Sequence, residues 1–179
     1  FRNANRFNIV PVENANAFPR MLAQVLKEDN CETIVVESFT KYVEQVNTLA
    51  TNSFKGYDIW SFYNRTIRNM LDSIKNDKAT IIFTAVDDIV KIPQITGGES
   101  SHRRVKVQGK VHEGAVEKEF LMVLFTEVRK NEKTEEMEYF FQTNTDGVTS
   151  AKTPMGMFDT QLIPNDIVEV LKKAEEYYA

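Results

Sequence analysis

A single cysteine, Cys31, in 179 residues leaves no intrachain disulfide to form, so nothing in the chain asks for an oxidising compartment and the cytosol is expected. With two histidines only, and no close ligand spacing between them or to Cys31, a structural zinc site is not expected. No apolar run approaches the roughly 20 residues of a membrane-spanning helix. The opening Phe1-Arg-Asn-Ala-Asn-Arg6 is not a signal peptide, so a soluble chain with no membrane partner is expected. Positive charge is not in excess either: 22 Lys and Arg stand against 26 Asp and Glu. Any contact with nucleic acid must therefore come from a local patch. What is present is a 42% hydrophobic content, enough for one domain over residues 1–179 and short for two. The first residue is Phe rather than Met, so that domain is expected to be N-terminally incomplete.

Residues 7–12 read as a strand, and Asn14 or Asn16 can cap a helix whose stripe is Phe18, Met21, Leu22 and Val25, with Pro19 in its first turn. Thr33 to Val36 follows as a second strand, and this strand–helix–strand spacing favours a parallel sheet with a right-handed crossover. Phe39, Tyr42, Val43, Val46 and Leu49 make one helical stripe. Beyond Gly56, Ile59, Phe62, Tyr63, Ile67, Met70, Leu71 and Ile74 make another. Thr80 to Phe83 is a third buried strand, leading into residues 84–88 at the edge where parallel sheets bind ligands. Residues 97–102 read as a flexible loop, and residues 119–128 and 137–143 as a β-hairpin at one side of the sheet. Pro164 opens a final helix burying Ile167, Val170, Leu171, Ala174 and Tyr178. The expected class is α/β, a mostly parallel sheet flanked by helices with an antiparallel edge hairpin.

The strand Thr33-Ile-Val-Val-Glu37-Ser38 carries the first candidate chemistry. Ile34, Val35 and Val36 suit a central strand buried on both faces. A carboxylate at the end of such a strand can orient Mg²⁺ beside a nucleotide, as the Walker B acid of P-loop ATPases does. A core strand ending in a solvated Glu is the plainer alternative. The partner motif, G-x-x-x-x-G-K-[ST], has no match: Gly147-Val-Thr-Ser-Ala-Lys152-Thr153 lacks the second Gly, and its Lys comes one residue too early.

Arg103, Arg104, Lys106 and Lys110 place four positive charges within eight residues. They can pair with nucleic-acid phosphates, or guard a solvated edge strand against aggregation. The segment 144–158, NTDGVTSAKTPMGMF, gathers turn formers, hydroxyls and Lys152. If ordered, it is expected to gain contacts from a ligand or a neighbouring subunit; the plainer alternative is a surface connector with Met155, Met157 and Phe158 as a small hydrophobic anchor.

TIVVES, ATIIFTAV, GKVHEGAVEKEFLMVLFTEV and above all QTNTDGVTSAKTPMGMF before a Pro-initiated helix together resemble the phage-encoded nucleotide-binding proteins of the RecA-like P-loop ATPase class. The resemblance spans nearly the whole chain from its second strand. It implies a RecA-like core that lacks its first strand and phosphate loop in this chain, binds ATP and Mg²⁺, forms a homo-oligomeric ring or filament, and acts on single-stranded DNA in recombination or annealing. By carry-over, Glu37 stands at the Walker B position, holding Mg²⁺ directly or through water, with Ser38 beside it. Thr84 stands at the polar sensor position. Lys152 is a candidate catalytic contact to the phosphate of nucleotide bound by an adjacent subunit. A phage annealing or single-strand-binding protein in the bacterial host cytoplasm is the implied partner. Glu in place of Asp at position 37 departs from the family pattern and makes binding a firmer expectation than hydrolysis. ATPase activity is expected of the complete protein and not of this chain alone. The alternative is a non-enzymatic nucleic-acid-binding or oligomerisation module with a degenerate nucleotide site.

Overall fold

The computed structural model describes residues 8–28, 31–75, 78–109, 112 and 114–179. The chain divides into two compact units, Phe1–Val86 with Val107–His112, and Asp87–Lys106 with Glu113–Ala179.

In the first unit, helices α1 (Phe18–Val25), α2 (Phe39–Ser53) and α3 (Tyr57–Ser73) accompany a parallel pair, β1 (Thr33–Val36) and β2 (Thr80–Phe83). Both long helices follow their apolar spacing. Phe39, Tyr42, Val43, Val46 and Ala50 are buried on α2, and Tyr63, Ile67, Met70 and Leu71 on α3, each repeating every three or four residues as one helix face must. Phe83 of β2 carries this core onto the sheet, with its ring 6.3 Å from Phe18 and 6.2 Å from Phe39.

Two expectations are corrected here. Residues 8–12 form no strand, and Ile9 and Val10 are exposed. Residue 7 lies outside the described residues. Strand β1 is not buried on both faces. Its exposure alternates, and Val35 is 58% exposed, so one face is half-buried and the other is exposed. Gly56 precedes α3 at φ +57, a left-handed turn that a side chain would strain.

The second unit contains two antiparallel sheets. Strands β3 (Asp87–Pro93) and β4 (Glu99–Val105) form a ribbon. Its turn is closed by Gln94 N–H to Gly98 O and Gly97 N–H to Gln94 O, at 3.0 and 3.1 Å. The expected flexible loop over 97–102 is thus a hairpin turn running into β4. Strands β5 (Phe125–Lys130), β6 (Met137–Gln142) and β7 (Leu162–Pro164) form the other sheet in that order. The expected hairpin is present as β5–β6, but it belongs to its own sheet rather than to the edge of β1–β2.

Helix α4 (Ile167–Tyr178) starts later than Pro164 suggested. Pro164 ends β7 opposite Phe140, and Asp166 caps the helix by accepting from the Val168 and Glu169 N–H groups. Among the expected inward residues of α4, Val170 is buried, whereas Ile167 and Tyr178 are exposed. Between β6 and β7 the chain makes a long excursion closed at its neck. Thr143 donates its N–H to Gln161 O at 2.8 Å and its hydroxyl to Thr160 O at 2.9 Å. Gln161 Nε2 donates back to Asn144 O and Thr145 O.

Candidate functional site

At the carboxyl ends of the parallel pair, Glu37, Ser38 and Thr84 come together. Thr84 donates its N–H to Val36 O at 3.2 Å and accepts the Phe39 N–H at 2.8 Å, so β2 continues alongside the turn from β1 into α2. That turn passes through a cis Glu37–Ser38 peptide bond. Ser38 is the N-cap of α2, its hydroxyl accepting the Lys41 N–H at 3.1 Å. Glu37 and Thr84 are exposed. An exposed carboxylate and a hydroxyl therefore share the sheet edge at the start of a 15-residue helix, whose dipole places partial positive charge there.

The second unit holds Lys152 and the basic strand. Lys152 pairs with Val123 in a short antiparallel bridge, and its ammonium donates to Lys118 O at 3.3 Å. Arg103 and Arg104 follow each other on β4 and meet different fates. Arg103 is drawn into the unit: its Nε donates to the Asp87 carboxylate at 2.6 Å, and its guanidinium lies 5.3 Å from the Phe125 ring centre. Arg104 instead lines an open cavity of about 320 Å³ together with Glu117, Lys118, Ser150 and Lys152. Lys106 is half-buried, and Lys110 lies outside the described residues.

Sequence reasoning missed two residues. Glu117 sits in a charged run, Glu117-Lys118-Glu119, which has the look of solvated surface, yet only 6% of it is exposed. Its Oε1 accepts from the Val105 N–H at 2.9 Å and from the Ser150 hydroxyl at 3.1 Å, while Oε2 is buried with no partner among the described residues. Asp146 orders the segment that was expected to need a ligand. Its Oδ1 accepts from the N–H groups of Val148 and Thr149 and from the Thr149 hydroxyl. These bonds, led by the one from Thr149, hold its carboxyl well below the usual carboxylate range. Asp-Gly followed by a hydroxyl residue is a turn signature that could have disclosed this.

The AAA domain family matches residues 4–155. The chain belongs to the AAA domain family. No curated protein and no solved structure matches it. The family is P-loop ATPase-like, which gives this AAA domain a nucleotide-binding, ATPase-like function in general terms, and domains of this kind typically use ATP and Mg²⁺. No described helix of the AAA domain is long and apolar enough to cross a membrane.

The residues at the parallel edge fit a hydrated Mg²⁺. Among the described residues no group of three or more His, Cys, Asp or Glu side chains could hold a metal. Mg²⁺ does not require one, because it takes one or two carboxylates and fills its octahedron with water and substrate phosphate. Glu37 is an exposed carboxylate at that edge, and Thr84 lies at the same edge.

Proposed function

We propose that this AAA domain is the body of a RecA-like phage ATPase that binds ATP and Mg²⁺, assembles into a ring or filament, and acts on single-stranded DNA in recombination or annealing in the bacterial cytoplasm. In this reading residues 1–179 are one functional ATPase domain. The observation that carries it is the meeting of Glu37, Ser38 and Thr84 at the carboxyl edge of β1 and β2, the edge at which parallel sheets bind ligands. Glu37 would hold Mg²⁺ directly or through one water. The bound metal would neutralise phosphate charge.

For nucleic acid, Arg104 and Lys106 are the cations among the described residues of the basic run that would meet a phosphate backbone, since Arg103 is engaged by Asp87. That cationic strand also favours a second reading, a nucleic-acid-binding module without turnover.

Calorimetric titration with ATP and Mg²⁺, alongside a thymidine oligonucleotide in a salt series, separates the two. The first reading expects ATP binding that needs Mg²⁺ and weakens about tenfold in Glu37→Gln, the equivalent of one lost charge-assisted contact. Oligonucleotide binding without ATP binding selects the second reading. Absence of both removes the two together.

A further inference from the structure

The sequence gives Arg104 and Lys152 different tasks, one at a nucleic-acid backbone and one at a nucleotide phosphate, yet both line the same cavity of the second unit. Glu117 joins the two segments that carry them. Its Oε1 accepts from the Val105 N–H, one residue beyond Arg104, and from the Ser150 hydroxyl, two residues before Lys152. A single carboxylate oxygen thus fastens the end of β4 to the segment bearing Lys152.

The electrostatics point to an anion. Arg104, Lys118 and Lys152 face one carboxylate in the cavity wall, and among the described residues none of the three cations is paired with a carboxylate. Glu117 is more than nine-tenths buried, and among the described residues its second oxygen has no donor, so its negative charge stands in the wall beside the cations without being neutralised by them. A volume of about 320 Å³ stands at the small end of the roughly 300–1,000 Å³ typical of ligand sites. It exceeds what a simple halide or carboxylate fills. The guanidinium fork matches phosphate oxygens in pairs, and a lysine adds a point charge to the same group.

We propose that this cavity is a phosphate-binding pocket in which Arg104 and Lys152 take one phosphate group between them, with Glu117 as the positioning residue that sets their separation. The source of the phosphate rests on the nucleotide reading above. It is either the phosphodiester of a single strand or the phosphate of a nucleotide.

Amide NMR of the whole chain tests the pocket directly. Inorganic phosphate, compared with chloride at equal ionic strength, is expected to shift the amides of residues 149–152. The apparent affinity should fall about tenfold or more in Arg104→Gln and in Lys152→Gln, and Lys152→Arg should restore it. Because both cations touch one group, the double variant should lose less than the product of the single losses. Glu117→Gln keeps an acceptor for Val105 and Ser150 while removing a negative charge, so it should bind phosphate more tightly, whereas Glu117→Ala should bind it more weakly. Retained amide dispersion outside the pocket shows that each variant is folded.

Competition by a thymidine oligonucleotide or by ATP then names the source. Phosphate shifts that neither ligand displaces would sustain the pocket while ending the nucleotide reading. No shift with phosphate, equal shifts in both glutamine variants, or independent losses in the double variant would overturn the pocket.

Discussion

Asp146 grips Thr149 twice, accepting its backbone N–H at 2.9 Å and its hydroxyl at 3.2 Å on the same carboxylate oxygen. The bonds favour the ionised form, so the folded carboxyl titrates below its unfolded value of about 3.9. The stabilisation is therefore present above about pH 4 and lost as pH falls further, where the unfolded chain binds the proton first. Wild type should lose more stability than Asp146→Asn between about pH 5 and pH 2. Urea midpoints measured across that range check this, and parallel losses in the two proteins would refute it.

Tyr42 and Tyr63 give the opposite dependence at the alkaline end. Burial raises both phenols above their ordinary value of 10, and the Tyr42 hydroxyl is buried with no partner among the described residues. A raised folded pKa favours the neutral form, so stability is complete below about pH 10 and declines above it as the unfolded chain ionises first. Of the six tyrosines, two should ionise only together with unfolding. Ultraviolet absorbance and circular dichroism followed in one alkaline titration check the coincidence.

Gly109 lies against Trp60 with φ +74, and a Cβ placed on it would stand 2.8 Å from Trp60 Cζ3. Gly109→Ala must both strain the backbone and displace the indole. The expected cost is about 1–3 kcal/mol. The chain has one tryptophan, so fluorescence-detected denaturation reads the stability loss and the change around Trp60 together.

Asp87→Asn would release Arg103. Each partner is about one-third exposed, so solvent screening keeps the pair's contribution to stability at or below about 1 kcal/mol. The functional effect should be larger. One more guanidinium available to phosphates should steepen the salt dependence of oligonucleotide binding by about one unit in the log–log slope. An unchanged slope would show that Arg103 cannot reach a bound strand.

The helical part of the fold was legible because α2 and α3 repeat their apolar residues at helix spacing and bury that face. β1, β2 and the β5–β6 hairpin were legible as short apolar runs. Strand β3 was hidden by Asp87, Asp88 and Lys91, which break the apolar pattern of a ribbon whose face is largely solvated. Pro164 misled because a proline can end a strand as well as open a helix, and Asp166 two residues later was the stronger cap. At the sheet edge, the structure brings Glu37, Ser38 and Thr84 together, and the roles that the resemblance implies for them there remain proposals. Glu117 had no local signal. Its burial follows from contacts with Val105 and Ser150, distant in sequence, which no pattern within its own segment records.

The neck formed by Thr143 and Gln161 separates the geometry of the sheet from the length of what it encloses. Beyond the Val123–Lys152 bridge, the enclosed chain reaches Met155, which is 94% exposed, before returning. Closing a loop costs free energy only logarithmically in its length, about 0.6 kcal/mol for each doubling. Extra residues inserted beside Met155 would thus add little closure cost while Thr143 and Gln161 remain joined, provided they spare the Tyr177 hydroxyl bond to Met155 O and the buried Met157. The neck makes this excursion a place where new recognition sequence can be accepted without rebuilding the strands that carry it.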